Sequence, residues 1–145
     1  MSIDFHILAD RGLVYVRYEG FALIDDTMKA FGRYMQHPQA RPGQKQFVDL
    51  SGVTGYERDF TRLMAIQARK ADQFGSGGTQ TLMVYYAPSR LGLELAQLVL
   101  RSWEGFDAVV ALIQQSEQEA LSLLGLPETC VADLLENTGR SRPDS

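Results

Sequence analysis

Two arginines four residues apart, Arg58 and Arg62, lie where the sequence predicts the beginning of a helix. The free backbone N–H groups of a helix N-terminus attract anions, so this pair could bind a small anionic ligand. Asp59 lies between them and can cap the same helix, which would stabilise the protein by about 1 kcal/mol. A capped, solvated first turn, with the arginines paired to Glu57 or Asp59, explains the same residues and is the interpretation that we favour.

Two serines, Ser51 and Ser89, each follow a predicted strand, where nucleophilic serines occur in some hydrolases. Neither lies in a Gly-x-Ser-x-Gly segment, although Asp49 lies close to the first of them in sequence. We therefore expect no catalysis, and a serine-dependent enzyme stays as the least favoured hypothesis. The candidate ligand or partner residues are the ones around the ends of two strands: Ser51, Thr54, Tyr56, Glu57, Arg58, Asp59, Arg62, Ser89 and Arg90.

Metal and cofactor sites are not predicted. His6 and His37 are the two histidines of the chain, and no spacing to cysteine or carboxylate joins them into a metal site. Cys130 has no histidine nearby in sequence and is not expected to be a nucleophile. The segment GSGG at 75–78 follows a helix and precedes a strand, the reverse of a phosphate-binding loop, so it predicts a helix cap.

The composition of the 145-residue chain is typical of a globular protein, with 45% hydrophobic and 22% charged residues. A net charge of −4 argues against nucleic acid or anionic membrane as a partner held by charge. The single cysteine excludes an internal disulfide, and no run approaches the roughly 20 apolar residues that cross a bilayer. The N-terminus does not resemble a signal peptide, so we expect a one-domain cytoplasmic protein.

Apolar periodicity and turn residues predict strands that alternate with helices. The order β-β-α-β-α-β-α-β-α predicts an α/β fold, with a mixed, mostly parallel sheet and right-handed β-α crossovers after an opening antiparallel hairpin with a two-residue link. The strands are expected at 5–10, 13–20, 45–50, 79–87 and 108–114. The helices are expected from 25 to Pro38, at 60–74, after Ser89, and at 116–124, with a further short one near the C-terminus.

The apolar runs of the strands predict a core covered by the crossover helices. On the helix at 60–74, the predicted apolar stripe includes Leu63 and Phe74, whereas Lys70 is expected outside it. The strand residues expected in the core are Val14, Val16, Phe47, Val48, Leu82, Val84, Val110 and Leu112.

The helix after Ser89 has apolar residues on more than one side, in the segment LGLELAQLVLRSW. A helix that is apolar over most of its surface must bury a second face. The cover could be a homodimer partner, the C-terminal segment or an apolar ligand. We expect an interface there, formed by Leu93, Leu98, Leu100 and Trp103.

Three strand-to-helix segments and the order of elements resemble a known family. The segments are DLSGVT (49–54), YYAPSRLG (85–92) and VVALIQQSEQEALSLLG (109–125). They resemble the STAS domain of anti-sigma-factor antagonists and of sulfate-transporter tails, and more closely bacterial single-domain STAS-like proteins of unassigned function. The resemblance implies a STAS-like domain at 1–126, followed by a short helix and a mobile tail at 127–145.

In signalling members of that family, the same loop continues into Asp-Ser-Ser-Gly, whose second serine is phosphorylated. Counted along from the DLS motif, the acidic position falls on Glu57, and the two serine positions fall on Arg58 and Asp59. The resemblance therefore implies a loop at 51–59 without a phosphoserine switch. Asp59 would be a helix cap, or a fixed negative charge in the place of a phosphate.

We expect a non-catalytic binding or regulatory module that acts through protein–protein contacts, as a homodimer, with an unknown protein or small ligand as its partner. The main alternative is a carrier of a small apolar or anionic molecule near the carboxyl ends of the strands and the second and third helices. A roomy, closed apolar pocket would favour the carrier, whereas a flat exposed patch on the third helix would favour protein contacts. Nucleic acid, membrane insertion and a cofactor are not expected.

Overall fold

The computed structural model describes residues 2–74 and 78–140 and has the predicted α/β architecture. One five-stranded sheet forms its centre, and the strands follow one another across the sheet in chain order. The first pair of strands is antiparallel, and the other three pairs are parallel. The strands are β1 (Ser2–Leu8), β2 (Leu13–Ala22), β3 (Lys45–Tyr56), β4 (Thr81–Tyr86) and β5 (Val109–Gln114).

Three helices connect the parallel strands, and two more follow the last strand. Because the strand order follows the chain order, right-handed crossovers place the three connecting helices on one face of the sheet. The C-terminal helices cover the other face. The helices are α1 (Ile24–Met35), α2 (Phe60–Phe74), α3 (Arg90–Ser102), α4 (Glu117–Leu123) and α5 (Val131–Arg140).

Polar side chains cap the beginnings of three helices where the sequence predicts them. Asp59 Oδ1, Ser89 Oγ and Ser116 Oγ each accept the backbone N–H group three residues further on, at 3.0, 2.9 and 3.3 Å. Each cap satisfies a donor that the helix itself leaves free. These caps fix the first turns of α2, α3 and α4.

The two faces of the sheet bury two separate apolar clusters. Side chains alternate between the faces along each strand, so Val48 of β3 joins the cluster under α1, α2 and α3. Its neighbour Phe47 joins the cluster under α4 and α5, together with Leu121 and Leu134. We call these two sides the α1–α3 face and the α4–α5 face.

Two of the residues predicted in the core are exposed. Val110 and Leu112 are 41% and 37% exposed, so the prediction was wrong for them. Both lie on β5, the edge strand, opposite Leu82 and Val84 of β4 on the α4–α5 face. An apolar run predicts burial on both faces, but the helices on this side do not extend over the edge. Of the other predicted core residues, four are buried and two are half-buried: Val14, Phe47, Val48 and Val84, then Val16 and Leu82.

Strand β3 continues well past the end that the sequence predicts. It reaches Tyr56 rather than Leu50, because β2 also continues to Ala22 and pairs with the extension. The loop predicted at 51–59 is therefore wrong as far as Tyr56. Only the short segment 57–59 connects β3 to α2.

Two register shifts between β2 and β3 give β3 extra residues relative to its neighbour. Gly55 lies at one of them, opposite Phe21. A Cβ atom at this glycine would lie 2.7 Å from the ring of Phe21, so any larger residue would displace that ring. Gly52 and Gly55, which suggested a loop, instead allow β3 to lie close to Tyr18 and Phe21 of β2.

The connection between β1 and β2 is longer than the predicted two-residue link. A 3-10 turn at Ala9–Arg11 follows β1, and Gly12 then adopts the left-handed conformation with φ 60°. The pair is nevertheless the antiparallel hairpin that was predicted. The turn places Arg11 near the C-terminal part of the chain.

Helix α5 packs on the α4–α5 face, where Leu134 is fully buried. The segment that leads into it is held by Arg11, whose two Nη atoms donate to the Glu128 carboxylate at 2.9 and 2.7 Å. This bond, with a further one from Asn137, lowers the pKa of Glu128 to about 2. Residues 75–77 of the predicted cap at 75–78, and residues 141–145 of the predicted C-terminal helix and tail at 127–145, lie outside the described residues.

Within the part of the chain that the structure describes, no helix is both long enough and apolar enough to cross a membrane.

Candidate functional site

A cavity lies between the sheet and helices α1, α2 and α3. Its volume is about 110 Å³, whereas a cavity needs roughly 10–15 Å³ to hold one water molecule. Apolar cavities of about 150 Å³ take up molecules of the size of benzene. The cavity reaches the surface near the beginning of α1, where the lining residue Leu23 is 39% exposed.

The wall of the cavity is mostly apolar and includes side chains from every strand except β5. Two small residues, Ala22 and Ala30, lie where larger side chains would fill the space. Eight aromatic side chains line it: Phe5, Tyr18, Phe31, Tyr34, Tyr56, Phe74, Tyr85 and Trp103. Such a wall suits an apolar guest, since aromatic side chains bury a large area and change shape little.

Hydroxyl and indole groups of the wall bond to one another. Trp103 Nε1 donates to Tyr85 Oη at 2.9 Å, and Tyr18 Oη shares a hydrogen bond with Thr27 Oγ1 at 3.2 Å. Burial raises the pKa of both tyrosines, so they stay neutral at physiological pH. These groups are already satisfied and hold the wall in place.

Lys70 of α2 brings an ammonium group into this wall. Its Nζ lies 5.8 Å from the centroid of the Phe31 ring, a contact between a cation and an aromatic face. Burial lowers the pKa of Lys70 to about 8. Among the described residues, no carboxylate lies within 4 Å of this lysine.

Gln67 lies one turn before Lys70 and is 2% exposed. Its Nε2 donates to Ser102 Oγ at 3.1 Å, and Ser102 gives its own proton to the carbonyl of Val99 at 2.5 Å. Because the serine hydroxyl has one proton, it must accept from the glutamine, which fixes the orientation of the amide. Gln67 Oε1 is then left without a hydrogen-bond partner among the described residues.

Charged side chains connect α1 and α2 beside the cavity. Arg62 pairs with Asp25 through Nη2, and its Nη1 lies 3.5 Å from Glu57 Oε2. Glu57, which lines the cavity, also accepts the backbone N–H of Ile24 at 2.9 Å and so caps α1. Its negative charge is therefore already compensated.

The two arginines of the predicted anion site do not converge on a free helix N-terminus. The guanidinium of Arg58 lies 4.6 Å from the centroid of the Tyr56 ring, while Arg62 is engaged by two carboxylates. Asp59 caps the helix between them. This geometry corresponds to the capped turn, which is the interpretation that the sequence favours.

Asp49 lies on the α4–α5 face and Ser51 is bonded to it, and neither residue lines the cavity. Asp49 is buried there and accepts bonds from Tyr15 Oη at 2.5 Å, Ser51 Oγ at 2.6 Å and the Ser51 N–H at 2.9 Å. Arg17 Nη1 lies 3.6 Å from the same carboxylate. Ser51 and Thr54 themselves are exposed, and the absence of a phosphoserine switch stays a prediction.

The predicted interface on α3 is largely covered by the chain itself. Trp103 is 4% exposed and belongs to the core, and an interface on α3 stays a prediction. Leu93, Leu98 and Leu100 are half-buried against the same cluster, and Leu98 lines the cavity. The second apolar side of α3 is therefore covered mainly from within.

At the beginning of α3, Ser89 is the helix cap, and Arg90 is a surface residue with Nε 3.9 Å from Glu94 Oε2. Neither residue lines the cavity.

Sequence reasoning missed Lys70 and Gln67. Lys70 was placed outside the apolar stripe because it is charged, yet its spacing puts it on that stripe. Leu63, Gln67, Lys70 and Phe74 follow one another at intervals of four, three and four residues, and all four line the cavity. A strict helical period, applied regardless of residue type, would have found them.

Within residues 2–74 and 78–140, no group of three or more His, Cys, Asp and Glu side chains is arranged to hold a metal ion. No protein-family model matches the chain, and no curated protein sequence matches it. The resemblance to STAS domains thus stays a prediction.

Proposed function

We propose that this protein is a non-catalytic binding protein that carries a small apolar molecule in the cavity between the sheet and α1–α3. The observation that supports the proposal is the cavity itself, with about 110 Å³ of free volume and a wall rich in aromatic side chains. Sites for small molecules are concave, mostly apolar and largely preformed, with a few polar groups. The cavity meets each of these criteria.

The energetics of packing also favour an occupant. A guest that fills the cavity gains dispersion contacts with the atoms of its wall. Protein interiors are otherwise packed as densely as organic crystals. An apolar guest would restore part of the lost contact energy, so binding and stability should be linked.

The arrangement of polar groups supports binding rather than catalysis. Neither Ser51 nor Ser89 lines the cavity, and Lys70 and Glu57 are the two residues of its wall that carry a full charge. Glu57 is engaged by Arg62 and by the N-terminus of α1. The wall has no pair of groups arranged as nucleophile and base.

Trp103 provides a direct test, because it lines the cavity and is the single tryptophan of the chain. Titration with 1-octanol should change its fluorescence saturably. Octanol should also raise the melting temperature, because a hundredfold excess over Kd adds about 2.7 kcal/mol to the free energy of unfolding. No saturable response to octanol would contradict the proposal.

A matched pair of variants connects that response to the cavity. Ala30→Phe places a ring in the cavity and should abolish octanol binding, because Ala30 is part of its wall. Ala65→Phe makes the same substitution at an exposed position of α2 and should bind like the wild type. Equal binding by both variants would mean that octanol binds elsewhere.

A second candidate function is the predicted homodimer, supported now by a different surface from α3. Val110 and Leu112 are exposed on β5, an edge strand whose backbone has one side unpaired. Edge strands with apolar side chains are prone to pair with other chains. Leu112→Glu should convert a dimer to a monomer in sedimentation velocity, and a wild type that is monomeric at high concentration would contradict this candidate.

A further inference from the structure

We infer that the natural guest of the cavity is a monoanionic amphiphile, an apolar chain or ring that carries one carboxylate, with this headgroup at Nζ of Lys70. The inference rests on the proposed function and specifies the class of ligand.

The first argument is the position of the lysine. Lys70 lines the cavity on the same side of α2 as Leu63 and Phe74, and its Nζ lies over the ring of Phe31. The ammonium group thus borders the apolar space. A guest with its chain among the aromatic side chains would have its polar end within reach of this group.

The second argument is the balance of charge in the wall. Lys70 and Glu57 are its two fully charged residues, and the Glu57 carboxylate is neutralised by Arg62 and bonded to the N–H of Ile24. Lys70 has no carboxylate within 4 Å among the described residues. One uncompensated positive charge suits a carboxylate, whereas a phosphate dianion would call for further cations.

The third argument is that Lys70 is half-buried, with its ammonium group beside the ring of Phe31. Partial burial lowers its pKa to about 8, so the group is still mainly charged at pH 7, in surroundings that disfavour the charge. A charge in such surroundings is stabilised by an opposite charge. A carboxylate of the guest would supply the missing partner.

Gln67 Oε1 and Lys70 Nζ are two polar groups of the wall, and they suit different groups of a guest. Its free Oε1 is an acceptor and cannot bond to a carboxylate, which is also an acceptor. It can take a water molecule or a hydroxyl group of the guest. The carboxylate therefore belongs at Lys70, and Gln67 is a place for a neutral donor.

The experiment compares octanoate with 1-octanol, which have the same chain length and different headgroups. Both are titrated at pH 7 into the wild type, Lys70→Met and Lys29→Met, with Trp103 fluorescence as the readout. Lys29 is an exposed lysine of α1 and provides the matched control. We expect Lys70→Met to raise the Kd of octanoate at least about tenfold and to change the Kd of octanol by less than about threefold. Lys29→Met should leave both Kd values unchanged.

A second readout uses the wild type alone and does not depend on how the variant folds. The chain has three lysines, Lys29, Lys45 and Lys70, so their side-chain signals can be resolved by NMR in protein labelled at lysine. Octanoate should raise the midpoint of the Lys70 titration, because a nearby carboxylate favours the charged form, and octanol should not raise it.

The outcomes separate the two proposals. If octanol binds in the cavity and Lys70 does not lower the Kd of octanoate, the proposal of a carboxylate headgroup is wrong. The proposal of a carrier for an apolar molecule is then still supported. If neither probe binds to the wild type, both proposals are wrong. If octanoate binds equally well to the wild type and Lys70→Met, the headgroup lies elsewhere and the inference is overturned.

Discussion

The two faces of the sheet are built from the same strands and differ in how they are filled. On the α4–α5 face, Phe47 and Leu121 are fully buried and lie in a cluster with Leu134. On the α1–α3 face, the helices leave about 110 Å³ free over the neighbouring strand residues. The strand side chains that face the two sides differ, and so do the helices that cover them. The cavity therefore depends on both, with small residues at Ala22 of β2 and Ala30 of α1.

The polar groups of the two faces differ in the same way. On the α4–α5 face, both oxygens of the Asp49 carboxylate accept hydrogen bonds from Tyr15 and Ser51. On the α1–α3 face, Lys70 has no carboxylate partner and Gln67 Oε1 has no bond among the described residues. Buried polar groups are usually satisfied, so groups without partners beside free space indicate a binding site more specifically than free space alone.

The largest expected effect comes from truncating a side chain on the filled face. Phe47→Ala should lower the free energy of unfolding by about 3–5 kcal/mol, because it creates a new cavity between Tyr15 and Tyr86. Leu98→Ala, in the wall of the existing cavity, should cost about 1–2 kcal/mol, since its environment is already partly empty. Urea denaturation of both variants measures the difference. Equal losses would mean that the two faces are packed alike.

Removal of the buried carboxylate should have the next largest effect. Asp49→Ala leaves the hydroxyl of Tyr15 without its acceptor and removes one of the two carboxylates near Arg17, which keeps its pair with Glu19. The free energy of unfolding should fall by about 2–4 kcal/mol. Gln67→Leu, on the other face, removes an acceptor that is already unsatisfied and should change stability by less than about 1 kcal/mol. A small loss for Asp49→Ala would mean that the network contributes little to the fold.

Lys70→Met should stabilise the protein without a guest, by about 1–3 kcal/mol at pH 7, because it removes a charge that is half-buried among apolar side chains. The pKa of Lys70 is about 8 in the folded state, against 10.5 for an unperturbed lysine. The unfolded chain therefore binds more protons between these values, and the wild type should gain stability as the pH rises from about 8 to 10.5. The advantage of the variant should shrink over the same interval. Denaturation of both proteins at pH 7, 9 and 10.5 measures this difference in the free energy of unfolding. A difference that does not change with pH would contradict the lowered pKa of Lys70.

The smallest expected effect concerns the ion pair that holds the segment before α5. Glu128→Gln should cost roughly 1 kcal/mol at pH 7. The folded-state pKa of Glu128 is about 2, below the usual 4.5, so its contribution is fully present above pH 4.5 and is lost as the pH falls towards 2. Wild type and variant should therefore converge in denaturation experiments towards pH 2–3. If the free energies of unfolding of wild type and Glu128→Gln still differ by the same amount at pH 2, the ionised Glu128 carboxylate is not the cause of the difference.

Much of the fold could be predicted because local signals and tertiary structure agree. The ends of α2 and the caps Asp59, Ser89 and Ser116 follow from residue types with strong local preferences. The edge position of β5 could not be predicted, because the same apolar run suits a central strand. The extension of β3 was missed because Gly55 suggests a turn until its contact with Phe21 is known.

The candidate site was harder to predict than the fold for two physical reasons. The free volume depends on how closely α1 and α2 approach the sheet, and no short pattern encodes that distance. Lys70 was assigned to the surface by its charge, although the helical period places it between Gln67 and Phe74 on the inner side. The likeness to STAS domains suggested a site at the end of β3, and the cavity instead extends beneath all three crossover helices.

The central claim is that the α1–α3 face binds an apolar guest and the α4–α5 face does not. Intermolecular NOEs between protonated 1-octanol and the isotope-labelled protein test it most directly. We expect NOEs from the alkyl chain to Phe31, Leu98 and Val99 of the cavity wall, and none to Phe47 or Leu121. Saturating octanol that gives no NOE to the cavity wall, or gives NOEs confined to the exposed side chains of β5, would contradict the account.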